Sequence, residues 1–239
     1  VESSETISVK TDVLTAEIGG LGGDLKRIAL LKHRGREDKT KPFVLLETGP
    51  NRTYVAQSGL VGEGMPNHKT RFVVAPGGRE LAAGADKLEV RFIAAGQGGT
   101  AVTKVYTFHR GTYVVDVGLE VKNTGASALQ PFAYFQLVRD GTPPAGDSRM
   151  VPTYTGAAFF TEQEKFKKVE FSALDKGKAV VPANADNGWI AMLQHYFVAA
   201  WLPKGRRPGS FLPASYLKIF TRRVSSFPLE PSSPERREP

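Results

Sequence analysis

The sequence predicts an all-β sandwich, and three observations carry that prediction. Apolar and polar residues alternate with period two along several segments, turn-forming clusters recur between those segments, and helix signals are scarce. Successive side chains of a strand point to opposite faces, so such alternation marks a strand with one buried and one wet face.

Residues 7–18 are rich in β-branched side chains and end at Gly19-Gly20, and residues 43–46 form a short apolar run behind Pro42. Leu88, Val90, Phe92 and Ala94 alternate with Lys87, Glu89 and Arg91; Gly96-Gln97-Gly98-Gly99 then suits a hairpin into residues 102–110. Val115, Val117, Leu119 and Val121 alternate with Asp116, Gly118, Glu120 and Lys122 before the turn Asn123-Thr124-Gly125. One short helix is expected near residues 162–169. There Thr161 can cap the backbone while Glu164 reaches back from the third helical position. Residues 188–203 are apolar on both faces under either period. They are read as a strand at 189–192, a bend near Gln194-His195 and a second strand at 196–202, both buried between layers.

Composition narrows the functional classes. With no cysteine, disulfides, thiolate nucleophiles and Cys-based zinc sites are excluded. No run reaches the roughly 18–20 apolar residues that span a bilayer. Val1 to Ser8 is polar, so any targeting segment is expected to lie outside this chain. The formal charge of +8 is concentrated at the end: residues 204–239 hold 8 basic and 3 acidic residues, or +5, which leaves +3 for the rest. A nucleic-acid surface needs basic residues gathered on a folded face, so no nucleic-acid partner is expected.

Motifs for catalysis are missing. His33, His68, His109 and His195 lack metal-ligand spacing, no GxSxG elbow is present, and no metal or cofactor is expected. Gly19, Gly20, Gly22 and Gly23 fit neither GxGxxG, since Leu25 stands in the third position, nor a P-loop; they are read as tight turns. Aromatic residues gather at Phe132, Tyr134, Phe135, Tyr154, Phe159, Phe160, Phe166 and Phe171. Most are expected in the core, with the rest open to a binding role. The candidate partner-binding surface is Tyr154, Phe159, Phe160, Glu162, Lys165, Phe166 and Lys168.

Several blocks in fixed order resemble the large periplasmic domain of bacterial membrane protein insertases of the YidC family. They are TDVLTAEI at 11–18, GGDL at 22–25, PFVLLE at 42–47, YVAQSGL at 54–60 and KVYTFHRGTY at 104–113. VKNTG at 121–125, YTGAAFFT at 154–161, EKF at 164–166, GWIAMLQHYF at 188–197 and WLP at 201–203 follow. The resemblance implies a β-supersandwich similar to galactose mutarotase, on the periplasmic side of the bacterial inner membrane. It also implies a non-catalytic accessory role, through contacts with Sec translocon components, nascent membrane proteins or chaperones. The insertion groove of that family lies among membrane helices outside this chain.

The resembling stretch ends at 203. Residues 204–239, rich in Pro, Arg and Ser, read as a divergent tail, either truncated or frame-altered, which would leave the sandwich without its last strands. Within the tail only residues 211–220 look capable of order, and disorder is expected from Ser225 onward. Two rival readings stand beside the binding one. A carbohydrate-binding or mutarotase-like enzyme of the same fold would need an acid and a base about one sugar carbon, drawn from Glu47, Glu120 or Glu170 and a histidine such as His109 or His195. A passive spacer would bind nothing.

Overall fold

The computed structural model describes residues 5–50, 52–144, 153–180, 187–202 and, for the backbone, 216–222. The chain begins with β1 (Thr6–Lys10), β2 (Leu14–Gly19), β3 (Asp24–Arg34), β4 (Pro42–Gly49) and β5 (Arg52–Val61). A middle block follows: β6 (Val73–Val74), β7 (Lys87–Ala95), β8 (Thr100–His109) and β9 (Val115–Asn123). Then come β10 (Phe132–Asp140), β11 (Thr155–Thr161), β12 (Lys165–Val169), the helix α1 (Phe171–Asp175), β13 (Trp189–Gln194), β14 (Phe197–Trp201) and β15 (Tyr216–Arg222). They build three sheets: β1-β2-β3-β4-β5-β10-β15, β12-β11-β13-β14 and β6-β7-β8-β9. Neighbouring strands run antiparallel except β10 and β15, which pair in parallel from Tyr134↔Tyr216 to Asp140↔Arg222.

The inward faces of all three sheets meet in one core. Ile7, Val9, Ile18 and Leu60 come from the seven-stranded sheet, Phe92, Val102 and Phe108 from the middle block, and Phe159, Ile190 and Met192 from the third sheet. Each such side chain contributes about 1.5–3 kcal/mol by leaving water. This shared core makes the all-β sandwich that the alternation predicts.

Local chemistry explains the breaks. The predicted run at 7–18 is interrupted at Thr11, whose hydroxyl accepts the backbone N–H groups of Val13 and Leu14 at 3.2 and 3.1 Å and turns β1 into β2. Gly22 and Gly23 have φ of 74° and 58°, in the left-handed region that favours glycine, which is the turn role expected of them. Gly96 to Gly99 joins β7 to β8 as predicted, with register from Lys87↔His109 to Ala95↔Ala101.

Two expectations are corrected. No helix covers residues 162–169. The Thr161 hydroxyl does accept the Glu164 N–H at 2.9 Å, but that bond closes a hairpin turn, and Lys165 enters β12 with φ 58°. The capping pattern is shared by helix starts and turns; pairing of β12 with β11, from Thr161↔Lys165 to Ala157↔Val169, decides for the strand. The one helix among the described residues is α1, beyond that strand. The second correction concerns residues 189–202. They do form a hairpin, bent at His195 with φ 57°, but β14 is an edge strand and Val198 is 53% exposed, so it is not buried on both faces. β15 overlaps the predicted orderable stretch 211–220, whereas the residues from Ser225 onward lie outside the described ones.

Candidate partner-binding face

Register in the third sheet lines up three aromatic rings. Phe166 of β12 stands opposite Phe160 of β11, and Phe160 stands opposite Trp189 of β13. Directly opposed residues share a face, so the three side chains form a row across three strands. The Phe160 and Trp189 ring centroids lie 6.1 Å apart with an interplanar angle of 13°, and those of Phe166 and Trp189 lie 5.9 Å apart at 40°. Phe166 is 48% exposed, while Phe160 and Trp189 are half-buried. Phe159, one residue along, points to the opposite face and lies in the core. It therefore drops out of the predicted surface.

The remaining predicted residues lie in or beside the same sheet. The Tyr154 hydroxyl donates toward the carbonyls of Ala157 and Val169 at 2.8 and 3.1 Å. Its ring folds over Gly156, where a Cβ would come within 2.5 Å of the hydroxyl oxygen. Burial, with the Glu170 carboxylate nearby, pushes the Tyr154 hydroxyl up to about 12, so it stays a donor at neutral pH. Lys168 Nζ sits 4.6 Å from the Tyr154 ring centroid, a cation–π contact that orients the lysine. Lys165 and Lys167 are exposed along β12. Glu162 is exposed in the turn, where its backbone N–H donates to Asn187 Oδ1 at 2.9 Å. Lys168 shares the face of Phe166, whereas Lys165 and Lys167 alternate with it and stand on the face of Phe159. The result is an aromatic strip with one lysine beside it, a surface suited to an apolar segment with an acidic flank. Trp189 is the member that sequence reasoning missed, since its place in the row depends on which residue of β11 it faces.

Residues 6–226 match the YidC periplasmic domain family. The chain belongs to that family. The membrane protein insertase YidC of Nitrosospira multiformis is 59% identical over 211 residues, covering 88% of this chain and 37% of the relative. Those of Nitrosomonas europaea and Aromatoleum aromaticum are 54% and 50% identical over 87% and 82% of the chain, and 34% and 36% of their own lengths. The chain thus spans about a third of the curated relatives it matches. As a YidC periplasmic domain it lies on the periplasmic side of the inner membrane. No helix among its described residues is long and apolar enough to cross a membrane.

This YidC domain also contains a buried polar network that sequence reasoning did not single out. Lys104 Nζ, fully buried, donates to the carbonyls of Gly22 and Ser58 at 2.6 and 2.8 Å and stands 3.8 Å from Asp24 Oδ1. Gln57 Nε2 donates to Asp24 Oδ2 at 2.6 Å, Gln136 Nε2 donates to Gln57 Oε1 at 2.6 Å, and the Tyr106 hydroxyl donates to the Gly23 carbonyl. Burial raises the Asp24 carboxyl to about 6, against the pull of Lys104; burial lowers Lys104 to about 8, against the pull of Asp24. Shifted groups of this kind often mark active sites. Here the side chains of Lys104 and Asp24 are 0% and 6% exposed, closed off from solvent. The network ties the Gly22-Gly23 turn of one sheet to β8 of another. Its signal was available: Lys104 occupies an inward position in the alternation Val102, Lys104, Tyr106, Phe108.

The carboxylates and histidines that a sugar-converting enzyme would draw on have the following surroundings. Glu47 is paired with Arg52 at 3.3 Å, and Glu120 with Arg91. Glu170 stands at the start of α1. His109 pairs with Asp116 at 2.9 Å, His195 with Thr153 at 2.7 Å and His68 with Tyr134 at 2.5 Å, while His33 lies against the rings of Tyr113 and Phe197. Among the described residues no group of three His, Asp or Glu side chains could hold a metal ion.

Proposed function

We propose that this YidC periplasmic domain is a non-catalytic accessory module that assists membrane protein insertion by holding protein partners against its aromatic face. The observation that carries this reading is the row Phe166–Phe160–Trp189, aligned across three strands and open to solvent at Phe166. Aromatic side chains of this kind dominate interface energetics, because they bring large rigid area at little entropic cost. The partners it suits are Sec translocon accessory subunits and nascent membrane proteins, whose apolar segments are exposed before insertion. Lys168, on the same face, adds attraction for an acidic flank and steers encounter more than it holds the complex.

Phe166→Ala is the direct test. Phe166 is half-exposed, so its truncation is expected to change domain stability by less than about 1 kcal/mol. As a hot spot it would contribute about 2 kcal/mol or more to binding. Copurification of Sec accessory subunits or nascent chains with the full-length insertase is therefore expected to fall by about tenfold or more. Undiminished capture by a stably folded Phe166→Ala variant would remove the face from the interaction.

A further inference from the structure

Edge strands expose a row of unpaired backbone groups, and proteins blunt them by shortness, lysine, proline or bulges. The edges of this molecule differ in how they are managed. β6 has two residues, and β1 has five and ends in a bridge between Lys10 and Glu80. β12 carries Lys165, Lys167 and Lys168, so two copies of it would repel each other. β14 is tied down by its last residue, where Trp201 Nε1 donates to the Gln136 carbonyl of β10 at 3.0 Å. β9 has little such protection, Lys122 being its one lysine. It is nine residues long, contains no proline, and pairs with β8 from Thr100↔Asn123 to Phe108↔Val115 without a register shift. Its other edge pairs with no strand among the described residues. Its inward side chains Val115, Val117, Leu119 and Val121 remain only partly buried, so the sheet stops before its apolar face is covered.

The charge pattern of β9 says what covers it. Placed antiparallel to itself about a two-fold axis through Leu119, the strand sets Val117 against Val121 and Asp116 against Lys122 of the second copy. Glu120 then faces Gly118, which brings no like charge against it. Opposite charges directly across an antiparallel pair stabilise it and like charges destabilise it. This register joins Val117 to Val121, Leu119 to its own copy and Asp116, which also bonds His109, to Lys122; Val115 meets Asn123, and no like charges are opposed. We infer that β9 is a self-complementary docking edge, through which two copies of this chain join their four-stranded sheets into one continuous eight-stranded sheet. The contact is isologous, as two-fold symmetry requires. It is separate from the aromatic face on the third sheet and does not rest on that reading.

Gly118 supplies the test. A Cβ there meets nothing within 4 Å, and its φ is not among the positive ones, so longer side chains fit without strain. Gly118→Lys places a cation opposite Glu120 of the second copy, and Gly118→Glu places an anion there. Each two-fold dimer holds that pair twice. Sedimentation equilibrium is expected to show dimerisation of the 239-residue chain, with Gly118→Lys binding about tenfold more tightly than Gly118→Glu. Register is read independently by disulfide formation, since the chain has no cysteine. Leu119→Cys puts two sulfurs at the axis, within the roughly 4.4–6.8 Å Cα spacing that a disulfide needs. Val121→Cys leaves its two copies about 13 Å apart along the strand. Rapid oxidative dimerisation of Leu119→Cys but not of Val121→Cys supports the inference. A chain that stays monomeric at millimolar concentration, charge variants that do not differ, or equal cross-linking of the two cysteine variants would overturn it. So would hydrogen exchange showing β9 protected by an added extended peptide while the chain remains monomeric.

Discussion

Replacing Lys104 with methionine is expected to lower the stability of this domain by about 3–5 kcal/mol, because it leaves the Asp24 charge buried without its partner. For a chain of this size that corresponds to a fall in Tm of about 6–20 °C. The carbonyls of Gly22 and Ser58 lose their donor at the same time, since Lys104 Nζ serves both. Replacing both charges, with Lys104→Met and Asp24→Asn together, is expected to recover much of the loss, because no uncompensated ion then remains. The pH profile gives a second reading of the same pair. The folded-state carboxyl of Asp24 titrates near 6, above its ordinary value, so the stability of its protonated form is present at acid pH and is lost as pH rises through about 6. Lys104 titrates near 8, below its ordinary value, so the stability of its neutral form is present at high pH and is lost as pH falls through about 8. Urea unfolding of wild type relative to the double variant is therefore expected to show the smallest difference between pH 6 and 8, rising on both sides. A flat difference across pH 4 to 10 would mean that the pair is solvated.

Gly188→Ala is expected to cost about 2–6 kcal/mol. Gly188 has φ 116°, and a Cβ there would lie 2.0 Å from the Phe160 carbonyl oxygen, which is backbone and cannot swing aside. Conformational strain of about 1–3 kcal/mol and overpacking of similar size add at such a position. The consequence for function is local. Phe160↔Trp189 is the end pair of the β11–β13 ladder, so forcing Gly188 away from β11 pulls Trp189 off the aromatic row. A red-shifted, more quenchable Trp189 emission should accompany the lower Tm, and partner capture should fall with it. Trp201 is held by its bond to the Gln136 carbonyl and serves as the internal reference once Trp189 is replaced by Phe in a matched control.

The parts of the fold legible in the sequence were those fixed by neighbours along the chain. β7, β8 and β9 followed from alternation and two turn clusters, because β7 pairs with β8 and β8 with β9 through short connections. The break at Thr11 and the strand at 165–169 were not legible. Thr161 bonds the Glu164 N–H in a way that serves a helix start or a hairpin equally, and only β11 on the other side of the turn decides between them. The candidate face was half legible for the same reason. Phe160 and Phe166 were picked out as aromatics, but Phe159 was included with them although a single residue step reverses its face. Trp189 joins the row through a pairing with β11 about thirty positions earlier in the chain, which composition cannot reveal. Lys104 was readable as a charge at an inward position, but its partner Asp24 is the first residue of β3 in another sheet.

The partner-binding role of the aromatic face is tested most directly by site-specific photo-crosslinking in inner-membrane vesicles that carry the full-length insertase. A photoreactive residue at Phe166 is compared with one at Ile93, an exposed position on the middle sheet. Cross-links from position 166 to Sec accessory subunits or nascent membrane proteins, absent or much weaker from position 93, are the expected result. Equal labelling from both positions, or none from position 166 while insertion proceeds, would contradict the role assigned to this face.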